Sequence, residues 1–187
     1  MAFIVIYDAN VLYPNTLRDL LIRIAQVPYL VQAKWTDRII DEMLEALRKN
    51  FPDISDEKAE RLRELMNAAV RDCLVSGYEP LIDGLDLPDP DDRHVLAAAI
   101  KADAQVIVTW NLKDFPEEKL APWNMRARSP DKFVLDQIGI DRQAVWACVQ
   151  QIVDSRTQRP VTTEDVLNQL ARDALIRSVA SLRAGGE

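Results

Sequence analysis

Histidine, cysteine and glycine are scarce in this chain of 187 residues: one His, two Cys and five Gly. Cys73 and Cys148 lie far apart, outside any metal-ligand spacing, and fit reduced thiols in a cytoplasm. One histidine and two scattered cysteines leave no set of nitrogen or sulfur ligands for a softer metal. Few glycines, with 48% hydrophobic and 28% charged residues, suit a compact soluble protein. No apolar run approaches the roughly 20 residues that span a bilayer, so no membrane contact is expected. No basic stretch precedes the short N-terminal apolar run, so no leader is expected. Internal repeats and low-complexity segments are also absent. The length allows one domain, or one domain with an appendage, and is enough to bury a core.

Net positive charge is lacking too: the balance is -7. That argues against a nucleic-acid partner only if the acids are spread evenly. Residues 51–100 hold five Lys/Arg against twelve Asp/Glu, and the remainder holds 18 of each sign. A local basic surface therefore stays open, and the charge neither supports nor excludes RNA binding.

What is present is an alternation of strand and helix patterns. Phe3 to Tyr7 is a buried-strand run, extended to Asp8. Apolar spacing predicts a helix from Thr16 that Pro28 closes, and another from Thr36, its N-cap, to Lys49. Residues 56–74 read as a charged helix, and 75–90 mostly as loop. Asp89 and Pro90 suit the start of a helix reaching about residue 102. Residues 105–109 (QVIVT) read as a second strand and 125–129 (MRARS) as a third. Helices are predicted over 130–137, 141–154 and 162–183, the last capped by Thr162 or Thr163 and ended by Gly185-Gly186.

Such alternation predicts an α/β fold with a parallel sheet covered on both faces. Ligands of these sheets bind beyond the carboxyl ends of the strands. Asp8 ends the first strand, and Asn111 and Asp114 follow the second. The Asp89–Asp92 helix start feeds that second strand and lies at the same edge. Each feature has a plain structural explanation. Asp8 can cap a turn, Asp89 to Asp92 are ordinary helix-start residues, and Asn111 and Asp114 suit turns. On the helix from Thr36, Asp41 and Glu42 flank the apolar stripe on opposite sides, and the wheel does not choose between them. Their conjunction is more informative. Clustered carboxylates cannot all stay ionised without a cation. Oxygen ligands without Cys or a second His point to Mg²⁺ or Mn²⁺, and so to phosphoester chemistry.

Four blocks carry a family resemblance: IVIYDANVLYP (4–14), WTDRIIDEMLEAL (35–47), LPDPDDRHVLAAA (87–99) and VIVTWNLKDFP (106–116). In this order and spacing the chain resembles PIN-domain ribonucleases, and among them the VapC-like toxins with a helical C-terminal extension. The resemblance covers roughly residues 1–135. It implies a three-layer α/β/α Rossmann-like nuclease domain over 1–135 and a helical extension over 136–187. It also implies Mg²⁺ or Mn²⁺, endonucleolytic cleavage of structured RNA (tRNA or rRNA), a cognate antitoxin, a homodimer and a cytoplasmic location.

Carried over by position, Asp8 matches the family's first acid, Glu42 the second and Asp92 the third, with Asp89 sharing that role or only capping. Many members have T-x-D-x-D-F at the fourth. Here Thr109-Trp110-Asn111-Leu112-Lys113-Asp114-Phe115 puts an amide at the first acid and moves the second by one residue. The fourth ligand is therefore Asn111 or Asp114, and fewer charges weaken a second metal. Asn10 is expected to support the adjacent turn. Arg18, placed on the polar side of its helix, and Lys113, Arg126, Arg128, His94 and Trp110 are candidate RNA contacts. Each has a structural alternative: solvated surface for the basic residues, core for Trp110, a structural role for His94. The extension is expected to dock on the domain, on a second copy or on an antitoxin.

Two other readings compete. A haloacid-dehalogenase-like phosphatase also places an Asp after its first strand, but Asp8-Ala9-Asn10-Val11-Leu12 lacks that family's second acid and Gly. A PIN fold with an altered fourth acid can also serve as a binding module without nuclease activity.

Overall fold

The computed structural model describes residues 2–185. Four parallel strands form one sheet in the order β2-β1-β3-β4: β1 (Phe3–Tyr7), β2 (Val31–Lys34), β3 (Val106–Val108) and β4 (Arg126–Arg128). Val5, Ile6 and Tyr7 are all buried. Successive strand residues face opposite sides, so both faces of β1 are covered. Tyr7 anchors the centre. Its ring stacks on Trp35 at 6.5 Å and meets Phe133 edge-on at 5.8 Å. Its hydroxyl donates to the Leu21 carbonyl at 3.1 Å, which satisfies the ring's one polar atom.

The helices are α1 (Ala9–Leu12), α2 (Asn15–Ala25), α3 (Asp37–Asn50), α4 (Asp56–Ala69), α5 (Arg93–Lys101), α6 (Glu117–Leu120), α7 (Pro130–Ile140), α8 (Arg142–Ser155), α9 (Thr163–Arg172) and α10 (Ile176–Ala184). Thr36 caps α3 through Ile39 N–H, and Thr162 caps α9 in a reciprocal pair with Asp165. α8 and α9 pack on α2, and α10 packs on α7. Arg156 donates to Thr16 and Tyr29 to Asp141 across that contact. Residue 135 lies inside α7. Both cysteines are buried free thiols. No helix among the described residues is long and apolar enough to cross a membrane.

Several segments differ from the sequence expectation. Residues 31–34 carry no strand signal, because VQAK is short and alternates buried with polar positions; they become β2 by pairing with β1. The charged helix stops at Ala69 rather than 74. Beyond it, Cys73 accepts from Trp35 N–H at 2.8 Å and Val75 N–H donates back to the Trp35 carbonyl at 2.9 Å, so pairing beside β2 overrides helix propensity.

The expected helix over 162–183 is broken between α9 and α10. Ala174 has φ 65°, its N–H donates to Ala171, and Leu175 N–H donates to Leu170, which is the Schellman arrangement. Gly185 follows α10 as expected, while Gly186 lies outside the described residues. At 90–92 a 3-10 turn capped by Asp89 precedes α5, so the regular helix starts at Arg93.

Candidate active site

Asp8 sits where β1 ends, and its buried carboxylate is held on both oxygens. Oδ1 accepts from Ala9 N–H at 2.7 Å, capping α1. Oδ2 accepts from Thr109 Oγ1 at 2.7 Å and from Asn10 Nδ2 at 3.0 Å. The Thr109 hydroxyl also accepts from Asn10 Nδ2 and from Asn111 N–H, at 3.1 and 3.0 Å, and so uses its full hydrogen-bonding capacity. Asn10 Oδ1 in turn accepts from Trp110 N–H at 3.0 Å. Asp8 N–H donates to the Val108 carbonyl, joining the ends of β1 and β3. Asn10 thus braces both strand ends. Thr109 is the functional group of this network that the sequence alone does not single out. Its signal was a hydroxyl one residue past a buried strand.

The acids influence one another. Burial raises the Asp8 carboxyl above its ordinary range and nearby Glu42 adds to this, while Thr109, Ala9 N–H and His94 oppose it. Asp92 is pushed up to about 6 by burial, then by Asp8, Asp89 and Asp114, with His94 opposing. Its Oδ2 is buried with no hydrogen-bond partner. Glu42, not Asp41, is the acid of α3 that acts on Asp8; Asp41 is paired with Arg63 of α4. Glu42 Oε1 lies 2.9 Å from His94 Nε2 and 3.3 Å from Arg38 Nε. The Asp89 carboxylate caps Asp91 N–H at 2.9 Å and is exposed. Asn111 is exposed, and Asp114 is half-buried in the 3-10 turn after β3.

Two expected RNA contacts are corrected. Arg18 is not on a solvated face. It is 8% exposed, and its guanidinium donates to the carbonyls of Leu12 and Tyr13 and to Asn15 Oδ1, bracing the turn between α1 and α2. His94 is 1% exposed, which removes it from any RNA surface. Lys113 and Arg126 are exposed, and Arg128 is half-buried. Arg128 lies at the carboxyl edge, where its carbonyl accepts from Thr109 N–H, while Arg126 begins β4, opposite Val106. Both arginines line an open cavity of about 650 Å³ with Leu112, Phe115 and Met125. Trp110 is half-buried against the core.

Among the described residues no group of three or more His, Cys, Asp or Glu side chains is arranged to hold a metal ion. The donor set still fits Mg²⁺ or Mn²⁺ in charge and hardness. Mg²⁺ commonly takes one or two carboxylates and keeps several waters, so it does not require an enclosing cage. An orphaned buried oxygen among mutually repelling carboxylates is a position that a cation would neutralise.

A family model described as PIN domain matches residues 5–113. The chain belongs to the PIN-domain family. A second model, described as VapC50 C-terminal domain, matches residues 130–184, from α7 to α10. The chain is 42% identical over 94 residues to a protein of Mycobacterium tuberculosis named "Putative ribonuclease VapC50". That match covers 50% of this chain and 55% of the relative, so it spans about half the length of each. No solved structure matches. PIN membership sets aside the haloacid-dehalogenase reading, and the two family models together describe a VapC-like PIN protein with a C-terminal extension.

Proposed function

We propose that this PIN-domain protein is a Mg²⁺- or Mn²⁺-dependent endoribonuclease. Its substrate is structured RNA, tRNA or rRNA, and it acts as the toxin of a toxin–antitoxin pair. The observation that carries the reading is the orphaned Asp92 Oδ2, set among Asp8, Asp89 and Asp114 with its carboxyl pushed up to about 6.

In this reading Asp8 and Asp92 hold the cation, with Glu42 and Asp114 adding charge and Asn111 and Asp89 at the margin. When bound, the cation supplies an acidified water and neutralises phosphate charge. The chain's own groups do the rest. Thr109, Asn10 and Ala9 N–H hold Asp8 in one orientation. Lys113, Arg126 and Arg128 attract the RNA backbone, and Trp110 stacks on a base. The printed name of the relative and the PIN match support the nuclease class. A cognate antitoxin and a second copy of the chain complete the set of proposed partners.

The test is to incubate purified protein with total tRNA and rRNA plus Mg²⁺ or Mn²⁺, mapping 5′ ends, with EDTA and Asp8→Asn alongside. Discrete cuts that vanish in both controls are expected. Cuts that survive Asp8→Asn, or none in any condition, would reject the reading and favour a binding module.

A further inference from the structure

Glu42 is contacted on one oxygen. His94 Nε2 and Arg38 Nε both meet Oε1, at 2.9 and 3.3 Å, and among the described residues no donor is directed at Oε2. The two donors are not equal. Arg38 is exposed, and a pair in water is weak. His94 is buried in the first turn of α5, followed by the buried Val95, Leu96 and Ala97 to Ala99. That backing gives its ring little freedom. Its Nδ1 is buried without a partner, so the tautomer with the proton on Nε2 avoids an unpaired N–H at Nδ1. Nε2 is the ring nitrogen beside Glu42, 2.9 Å from its Oε1.

A restraint is needed there. Glu42 is a flexible side chain on a helix surface, and it shares its neighbourhood with the like-charged Asp8. Unrestrained, it would turn to solvent. We propose that His94 is a positioning residue: its Nε2, in contact with Oε1 of Glu42, keeps that carboxylate beside the acidic cluster. The role rests on the nuclease reading above, in which that cluster holds a cation. Partners of this kind orient metal ligands without touching the metal.

The test uses the full chain and Mn²⁺ alone, titrated by calorimetry, with thermal unfolding reporting the fold. His94→Leu removes the donor. His94→Gln keeps an N–H at similar reach. Both are also made in a Glu42→Gln background. His94→Leu is expected to weaken Mn²⁺ binding about tenfold, and His94→Gln to restore most of it. With Glu42 already Gln, His94→Leu should add nothing, as a double-mutant cycle requires of groups acting through one contact.

If the leucine variant does not unfold cooperatively, His94→Asn replaces it, because its shorter amide does not reach Glu42. Unchanged Mn²⁺ affinity in a folded variant that lacks the donor, or an undiminished loss in the Glu42→Gln background, would overturn the role while wild-type Mn²⁺ uptake leaves the nuclease reading standing. A folded wild-type protein that takes up no Mn²⁺ sinks both.

Discussion

Asp8 caps the helix that follows it, as its sequence position suggested, and is restrained in a way that suits the ligand role proposed for it. One oxygen caps α1, while the other is locked by Thr109 and Asn10 at the joined ends of β1 and β3. A cap alone needs no such double restraint, whereas a ligand benefits from it. Asp92 sets the pH response. Its carboxyl is pushed up to about 6, so below that pH it holds a proton that a cation must displace. Mn²⁺ affinity should therefore fall as pH drops from 7 to 5, approaching about tenfold per pH unit for one displaced proton. The sign for folding without metal is the reverse of the usual carboxylate case. A raised folded value means stability declines as pH rises from the ordinary Asp range to about 6, then levels off. Calorimetric titration at a series of pH values checks this, and a flat affinity across the window would refute it. The position of Asp8 at a strand end and of Asp92 at a helix start was legible in the sequence. The choice between Asp41 and Glu42 was not legible from the helical wheel, because it depends on Arg63 of α4 and His94 of α5, both distant in sequence.

Between α9 and α10 the chain turns at Ala174, which occupies a left-handed conformation that glycine adopts without strain. With alanine there, the stop signal is missing from the sequence, and the apolar spacing reads on as one helix. Ala174→Gly should relieve the strain of roughly 1–2 kcal/mol and give back part of it as unfolded-chain entropy, for a net gain of about 0.5–1 kcal/mol. Urea denaturation measures the difference, and a destabilised variant would show that this backbone is not strained. β2 was hidden for a related reason. Four residues, two of them polar, carry no strand signal until β1 supplies the pairing edge. Thr36, by contrast, announced its helix correctly because capping is local chemistry.

The two family matches divide the chain, but the core does not divide with them. Phe133 of α7 packs edge-on against Tyr7 of β1, and Val145, Cys148, Val149 and Ile152 of α8 are buried in the helix that rests on α2. Removing α7 to α10 would expose those partner surfaces and leave a cavity beside Tyr7; losing a buried Phe alone costs about 3–5 kcal/mol. A chain ended at Ser129 is therefore expected to lose its cooperative thermal transition by circular dichroism. A sharp transition in that fragment would show the PIN unit to be independent.

The sequence by itself determined the alternation that makes a parallel sheet, the strand-end position of Asp8, the helix-start acids, and the four ordered blocks of the PIN family. These are properties of local periodicity, capping and spacing, and they need no knowledge of distant contacts. Only the tertiary structure decided that Arg18 is a buried brace, that Asp41 is paired with Arg63 while Glu42 meets His94, that Thr109 joins the strand ends, and that His94 faces inward. Each of those depends on what another element brings alongside, and a chain read residue by residue does not contain that neighbour until it folds.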